Sequence, residues 1–148
     1  MPVFVNNVEI SDDDVHTEMQ HHQAATMEEA RGDAARALVV KHLLLEAAVD
    51  QEFTSAEKLE GLDNESEERI IEGLIDSIIK VPDADDETCQ RHYDKFQQSF
   101  VDQKTGELLP YDMVKNHIKT YLEDMGHMAA LRAYIDSLMD KAQIVGLA

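Results

Sequence analysis

The sequence predicts a mainly α-helical fold with a small N-terminal β-hairpin that a C-terminal strand joins. The first observation behind this prediction is the almost wholly apolar stretch Ala34–Ala48. Its only polar side chains are those of Arg36, Lys41, His42 and Glu46. A helix that is apolar around most of its circumference has to be surrounded by other elements, so this one should be central. The second observation is helical apolar spacing over residues 70–79 and 114–138.

The third observation is the alternation of strand formers between Val3 and Ile10 around Asn6 and Asn7. Asparagine tolerates the positive φ that a type I′ turn requires, so this segment should form a hairpin. A lone hairpin is marginally stable in water and needs a further strand or a helix to pack on. We expect that strand at 143–145, after the last helix.

Capping residues predict where the first helices begin. Ser11 precedes three aspartates, whose charge suits a helix N-terminus, and it should cap a short helix. Thr26 is followed by Glu29 in the spacing of a capping box, so the central helix should begin there and run to about Asp50.

Polar residues 51–63 should connect the central helix to a third one that starts at Asn64 or Ser66. A buried set is expected from these two helices. Its members are Leu38, Leu44, Leu45, Ile71, Leu74, Ile75 and Ile78.

Proline and aspartate mark the later boundaries. Pro82 should end the third helix, and Asp83 should cap a fourth helix that runs to about Phe100. Residues 101–109 should form a loop, and Pro110 suits the first position of the last helix. We therefore predict one domain over residues 1–148, with an N-terminal arm 1–100 and a C-terminal helix and strand 110–148.

Charge and composition narrow the function classes. The 148 residues include 31 acidic and 13 basic ones, for a formal charge of −18. Such a field repels nucleic acid and anionic membranes, so we expect neither as a partner, whereas basic partners would be attracted. Cys89 is the only cysteine, which rules out a disulfide within the chain. The N-terminal residues lack the pattern of a secretory signal, so a cytoplasmic location is expected.

The sequence offers no catalytic, cofactor-binding or metal-binding motif. Residues 102–108 faintly resemble a calcium loop, but Lys104 stands where a carboxylate is needed and Gly106 comes one position early. His16, His21 and His22 also fail, because a paired ligand on one helix face would lie four residues after His16, where Gln20 stands. We expect no metal and no cofactor.

Methionines in the last helix are the best sequence indication of a binding surface. Tyr121, Met125 and Met128 follow helical spacing, and methionine adapts to varied apolar shapes. Two interpretations stay open at this stage. These residues either fill an ordinary core, or they line a groove that is left open or pairs with a second molecule.

Several segments together resemble one family. Val5–Ile10 resembles the V-N-G-x-x-I opening of parvulin-type foldases of the SurA, PrsA and PpiC kind, with Asn7 in place of the usual glycine. The segments 18–22 and 34–48 look closest to the cytoplasmic branch of that family, which includes NifM-like proteins. The segments 81–82 and 89–96 resemble the stretch that leads into the catalytic domain of the family. The segments 109–118 and 121–122 resemble the helix that follows that domain.

The chain departs from this family at its catalytic domain. Between Phe100 and Leu108 it has seven residues where the family carries a whole isomerase domain, so no isomerase residue can be carried over. The resemblance implies a SurA N-terminal-like helical bundle that binds unfolded or maturing client polypeptides without catalysis. Tyr121, Met125 and Met128 are the expected client-binding residues, because methionine adapts to varied apolar shapes and Tyr121 lies beside the two methionines on the last helix. The alternatives are a prolyl isomerase of the parvulin/NifM type and a dedicated assembly adaptor. A homodimer is left open.

Overall fold

The computed structural model describes residues 2–147, and in that range the chain forms six α-helices and three short strands. The strands are β1 (Val3–Val5), β2 (Val8–Ile10) and β3 (Ile144–Val145). The helices are α1 (Asp12–Glu18), α2 (Met27–Asp50), α3 (Ala56–Leu59), α4 (Asn64–Ile78), α5 (Asp86–Lys95) and α6 (Tyr111–Lys141). Short 3-10 helices follow α1 at Met19–His21 and α5 at Gln97–Phe100. The predicted fold class, mainly α with a small hairpin and a C-terminal strand, is confirmed.

The sheet has the strand order β2-β1-β3, and both pairs are antiparallel. Asn6 and Asn7 have φ values of 48° and 67°, as the predicted type I′ turn requires. Asn6 also holds the third strand beside the turn. Its N–H donates to the Gln143 carbonyl at 2.8 Å, and its Oδ1 accepts from the Gln143 N–H at 2.9 Å. Its side-chain amide donates to Glu46 of α2 at 2.7 Å, which ties the hairpin to that helix.

The chain divides into two compact units, each with a buried cluster of its own. We call residues up to Ile78 together with those from Ala133 onward the terminal unit, and Ile79–Arg132 the middle unit. Helix α6 belongs to both, because the division lies between its residues 132 and 133. The boundaries of these two units differ from the predicted arms, which were residues 1–100 and 110–148. That the whole chain is a single domain stays a prediction.

Helix α2 is the centre of the terminal unit, as its apolar composition predicted. Its N-terminal half packs Ala34, Ala35 and Val39 with buried residues of the sheet and of α1. Its C-terminal half packs with α4, where Leu74 is completely buried. Because partners lie on more than one side of α2, its apolar circumference leaves little surface in contact with water.

The expected core is confirmed only in part. Leu44, Leu45 and Leu74 are buried. The other four residues are less completely buried and are of intermediate exposure: Leu38, Ile71, Ile75 and Ile78. Helix α4 packs mainly on α2. A helix with one main partner buries the centre of its apolar face, whereas residues at the edges of that face are only partly buried.

Two helix starts follow the predicted caps. The Ser11 hydroxyl accepts from the Asp14 N–H at 3.1 Å, and Thr26 accepts from the Glu29 N–H at the same distance. The Glu29 carboxylate reaches back to the N–H of Ala25 at 3.3 Å, one residue before the usual capping-box partner. Both caps satisfy N–H groups that the first helical turn leaves unpaired.

The predicted cap at Asp83 was wrong. Helix α5 begins at Asp86, and its cap is Asp85, whose carboxylate accepts from the Thr88 N–H at 2.8 Å. The hydrogen bonds to Thr88 lower the pKa of Asp85. Asp83, directly after Pro82, satisfied the sequence rule, but only Asp85 lies three residues before a helical N–H that its carboxylate reaches. The helix predicted to about Phe100 ends at Lys95, and the chain continues as a 3-10 helix.

None of the helices within residues 2–147 is both long enough and apolar enough to cross a lipid bilayer.

Truncation of a buried leucine tests the central position of α2. Leu44 is 6% exposed and packs in the cluster with Leu74. We expect Leu44→Ala to lower the free energy of unfolding by about 2–5 kcal/mol, because the substitution leaves a cavity in a packed site. Chemical denaturation measures this loss, and a value below about 1 kcal/mol would contradict the central placement.

Two helical glycines should respond differently to alanine. At Gly73 in α4 an added Cβ meets nothing within 4 Å, so Gly73→Ala should raise the free energy of unfolding by about 0.5–1 kcal/mol. At Gly126 in α6 the Cβ would lie 3.0 Å from Val81 Cγ1, so Gly126→Ala should lose that gain. Val81→Ala removes the obstructing methyl and should restore the gain at Gly126. Equal stabilisation by both alanines in both backgrounds would show that Val81 does not pack against Gly126.

Candidate functional site

The middle unit holds five of the eight Phe and Tyr residues of the chain. They are Tyr93, Phe96, Phe100, Tyr111 and Tyr121. Helix α5 and the 3-10 helix after it pack on the first turns of α6. In that contact Tyr93 and Phe100 are buried with Val114 and Ile118. An aromatic core of this kind holds two short elements firmly because each ring buries a large apolar area.

Hydrogen bonds of two tyrosines fix α5 against the start of α6. The Tyr93 hydroxyl donates to the backbone carbonyl of Leu109, just before α6. The Tyr111 hydroxyl donates to Asp86 Oδ1 at 2.7 Å. Desolvation, together with this bond to a carboxylate, raises the pKa of Tyr111 to about 12, so the phenol keeps its proton and remains a donor.

The loop predicted at 101–109 is folded as a small hairpin. Val101 and Leu108 form an antiparallel bridge, and the Gly106 N–H donates to the Asp102 carbonyl at 2.7 Å. Gly106 has a φ of 72°, which is why a residue without a Cβ suits the turn. The Asp102 carboxylate accepts from the Lys104 N–H at 2.8 Å and so stabilises the turn from inside.

We call helix α5 and the 3-10 helix after it the α5 region. An open cleft of about 330 Å³ lies between this region and α6. Its walls are His92, Phe96, Ser99, Phe100, His117, Ile118 and Tyr121. The ring centroid of His92 lies 4.8 Å from that of Phe96 and 5.6 Å from that of Tyr121. We call this site the aromatic cleft. Three of the seven walls are polar side chains, those of His92, Ser99 and His117, and the other four are aromatic or aliphatic. Clefts that combine apolar walls with a few polar groups commonly bind ligands in proteins.

One face of α6 changes from buried to exposed along its length. Val114, Ile118, Tyr121, Met125 and Met128 are separated by four, three, four and three residues, so they lie on one side of the helix. The first two are 9% and 1% exposed, whereas the last three are 46%, 52% and 69% exposed. We call those last three the α6 stripe. It continues the buried face beyond the residues that α5 covers.

The flank of α6 away from the stripe is covered by the chain before α5. Gly126 lies about 100° around the helix from Met125. An added Cβ at Gly126 would lie only 3.0 Å from Val81 Cγ1, so the backbone of α6 and the Val81 side chain are in close contact. The middle unit therefore covers this flank of α6 and leaves the side chains of the stripe in contact with water.

The three predicted site residues are all accessible to solvent. Tyr121, Met125 and Met128 are exposed, so they are not ordinary core. Tyr121 forms a wall of the aromatic cleft, while Met125 and Met128 lie one and two helical turns beyond it. The described chain thus brings Tyr121 together with the cleft and extends the surface along α6.

Sequence reasoning missed the other walls of the cleft, chiefly His92, Phe96, Phe100 and His117. A signal for them was present. His92, Phe96 and Phe100 are spaced by four residues, and His117 stands four residues before Tyr121. Side chains four residues apart lie on one face of a helix, so this spacing indicates an aromatic face.

Charge is distributed very unevenly between the two units. The terminal unit has 21 acidic and 6 basic residues, a net charge of −15. The middle unit has 10 acidic and 7 basic residues, a net charge of −3. The aromatic cleft and the α6 stripe are therefore in the nearly neutral part of a strongly acidic chain.

Cys89 is a packing residue. It is 3% exposed and lies in the cluster with Tyr93 and Ile118. Burial raises the pKa of its thiol, and the nearby carboxylates of Asp86 and Asp85 raise it further, so the thiol stays protonated and unreactive. Among residues 2–147, no three or more His, Cys, Asp or Glu side chains are grouped so that they could hold a metal ion.

A second cleft, of about 440 Å³, lies in the terminal unit and has several charged walls. Three of these side chains, His42, Glu46 and Glu67, already have partners within the chain. Glu46 accepts from Asn6 and lies 2.8 Å from His42 Nε2, and Glu67 pairs with Lys41 at 3.0 Å. Because these groups already have protein partners, a ligand would have to displace them. The aromatic cleft is the better candidate site.

Comparisons of the chain with protein-family models, with curated protein sequences and with solved structures each return no match. The resemblance to parvulin-type foldases therefore stays a prediction.

Proposed function

We propose that this protein is a non-catalytic, chaperone-like protein that binds segments of client polypeptides on its middle unit. The observation that carries the proposal is the α6 stripe, whose exposed side chains Tyr121, Met125 and Met128 lead directly into the aromatic cleft. Contiguous apolar side chains that remain exposed beside a cleft are typical of protein-binding surfaces.

The chemistry of the surface suits varied polypeptide segments. Methionine side chains are flexible and polarisable, so Met125 and Met128 adapt to partners of different shape. Tyrosine adds an amphipathic ring of the kind enriched in the centres of interfaces. Together with Phe96, which is 45% exposed, the stripe presents roughly 400 Å² at about 200 Å² for each fully exposed large side chain. A patch of this size favours a transient contact.

The acidic terminal unit supports the same proposal. A net charge of −18 keeps molecules that carry an apolar surface from associating with one another. It also favours encounter with basic polypeptides, an attraction that salt weakens. We place this activity in the cytoplasm, because a reducing compartment suits a chain with one buried free cysteine and no disulfide.

The two alternative functions differ from this proposal in testable ways. A prolyl isomerase needs a shaped pocket that excludes water. The segment 101–109, where the family in question carries its catalytic domain, is here a short hairpin. An assembly adaptor would use the same surface but would bind one dedicated partner. The number of unrelated clients that the surface binds therefore separates an adaptor from a chaperone.

A double substitution in the stripe tests the proposed surface. Met125→Gln with Met128→Gln replaces exposed side chains by polar ones of similar length, so folding should be preserved. We expect roughly tenfold more of this variant to be needed to suppress aggregation of a thermally unfolded model protein, because two apolar anchors are lost. Light scattering measures the suppression.

The matched control is Met27→Gln with Met113→Gln. These methionines are 75% and 71% exposed and lie outside the stripe, so this variant should behave as the wild type. Equal loss in both pairs would show that exposed methionine in general, and not the stripe, determines activity. Activity towards one client and none towards several unrelated unfolded proteins would favour the adaptor.

Isomerase activity can be measured directly. We expect the protein to leave the rate of cis-to-trans conversion of a proline-containing test peptide unchanged in a protease-coupled assay. The reason is that residues 101–109 form a short hairpin, whereas isomerisation needs a shaped pocket that excludes water. Acceleration above the uncatalysed rate by protein free of host isomerases would overturn this expectation.

A further inference from the structure

We infer that the segment bound by the α6 stripe is a basic amphipathic helix that packs along α6 and inserts one large apolar side chain into the aromatic cleft. This inference rests on the proposed function and specifies the conformation and charge of the bound segment. It follows from the spacing of the stripe, the chemistry of a helix surface, the shape of the cleft and the charge of the chain.

The spacing of the stripe is that of side chains through which two helices pair. We call the side of α6 that runs from Val114 to Met139 at this spacing the seam. The alternation of four and three residues from Val114 to Met128 is the a/d pattern by which one helix packs on another. The same pattern continues to Ile135 and Met139, which pack in the terminal unit. Arg132 occupies the intervening seam position, so the bare apolar part of the seam ends at Met128. Both ends of the seam are covered within the chain, whereas at its centre no helix among residues 2–147 covers Tyr121, Met125 and Met128, which are exposed.

A helix surface favours a helical occupant over an extended one. The backbone N–H and C=O groups of α6 are bonded within the helix, so α6 offers an extended segment no sheet edge on which to add a strand. An extended segment would have to bring unpaired peptide groups onto an apolar surface, which is costly. A helical segment satisfies its own backbone and presents apolar side chains at the matching spacing. From Tyr121 to Met128 the stripe rises about 10 Å, which is two turns of such a helix.

The aromatic cleft lies at one end of this surface and provides an anchoring pocket. Tyr121 belongs to both, so a helix lying on Met125 and Met128 would reach the cleft at its end. The cleft volume of about 330 Å³ and its walls of Phe96, Phe100 and His92 suit one large apolar side chain. A buried anchor of this kind commonly supplies most of the affinity of a small interface.

Charge favours a basic helix. The chain carries −18, of which −3 belongs to the middle unit, and exposed Asp124 borders the stripe next to Met125. At the cleft, Lys95 Nζ lies 5.5 Å from the Phe96 ring centroid, so basic residues of the bound helix are expected beside Asp124 and not beside the anchor. Lysine or arginine residues that flank the apolar face of the bound helix would be attracted by this field. A second copy of this chain is a poorer occupant. Two copies would each bring −18, and the patch of roughly 400 Å² per copy is half of the approximately 800 Å² that each partner buries in a stable dimer.

Fluorescent peptides of about three heptads provide the test, with the full-length protein as the titrant. The first has leucine at a and d positions, one phenylalanine as the anchor, and lysine and glutamine elsewhere. The second has the same composition in shuffled order, and the third has glutamate in place of lysine. We expect fluorescence anisotropy to show binding of the first peptide at least about tenfold tighter than of the other two. Met125→Gln with Met128→Gln should weaken it about tenfold, and Met27→Gln with Met113→Gln should not.

A peptide with alanine at the anchor position tests the cleft. It should bind the wild type more weakly than the phenylalanine peptide, and Phe96→Ala should remove most of that difference. Phe96 is 45% exposed, so this variant should fold. An unchanged difference in Phe96→Ala would overturn the assignment of the cleft as the anchoring pocket.

The remaining outcomes separate this inference from the proposed function. Equal binding of the shuffled or the acidic peptide would overturn the helical or the basic assignment, while suppression of client aggregation would still stand. Failure of all peptides to bind a protein that suppresses aggregation would overturn the inference alone. A dimer in sedimentation velocity that becomes a monomer in Met125→Gln with Met128→Gln would make a second copy the occupant and would likewise overturn it.

Discussion

The apolar seam of α6 is the constraint on which the rest of this structure depends. A helix of 31 residues with one apolar side needs partners along that side, and no single short element can supply them. Val114 and Ile118 find partners in the α5 region, and Ile135 and Met139 find them in the terminal unit. The central part of the seam is left to solvent, and the proposed function arises there.

Length explains why the seam is bare in the middle. Helix α5 has 10 residues and spans about 15 Å, whereas α6 spans about 46 Å. The α5 region therefore covers only the first turns of α6. Before α5, Val81 packs on the flank that carries Gly126, away from the stripe. A longer α5, or a Val81 segment on the opposite flank, would bury Met125 and turn the exposed stripe into core.

Local chemistry made most of the fold predictable from the sequence. The two asparagines predicted the type I′ turn, and Thr26 with Glu29 predicted the start of α2. The apolar circumference of α2 predicted its central position. The errors arose where several residues satisfied one rule equally. Asp83 and Asp85 are both suitable caps after Pro82, and only the three-dimensional path of the chain selects Asp85. The partial exposure of the isoleucines of α4 depends on how many helices pack on α4, and the periodicity of the sequence does not encode that number.

The candidate site was harder to predict because an apolar stripe has the same spacing whether it is buried or bare. Tyr121, Met125 and Met128 satisfied both interpretations, and their exposure was decided by what α5 could reach. The aromatic cleft combines residues of the α5 region with residues of α6. The four-residue spacing of His92, Phe96 and Phe100 indicates a common face, but it does not show which part of α6 that face contacts. The sequence gives the total charge of the chain, but the distribution of that charge between the two units follows only from the fold. The chain tolerates an exposed apolar surface because −15 of its −18 charge is in the terminal unit, so repulsion between molecules opposes self-association while the surface itself stays nearly neutral.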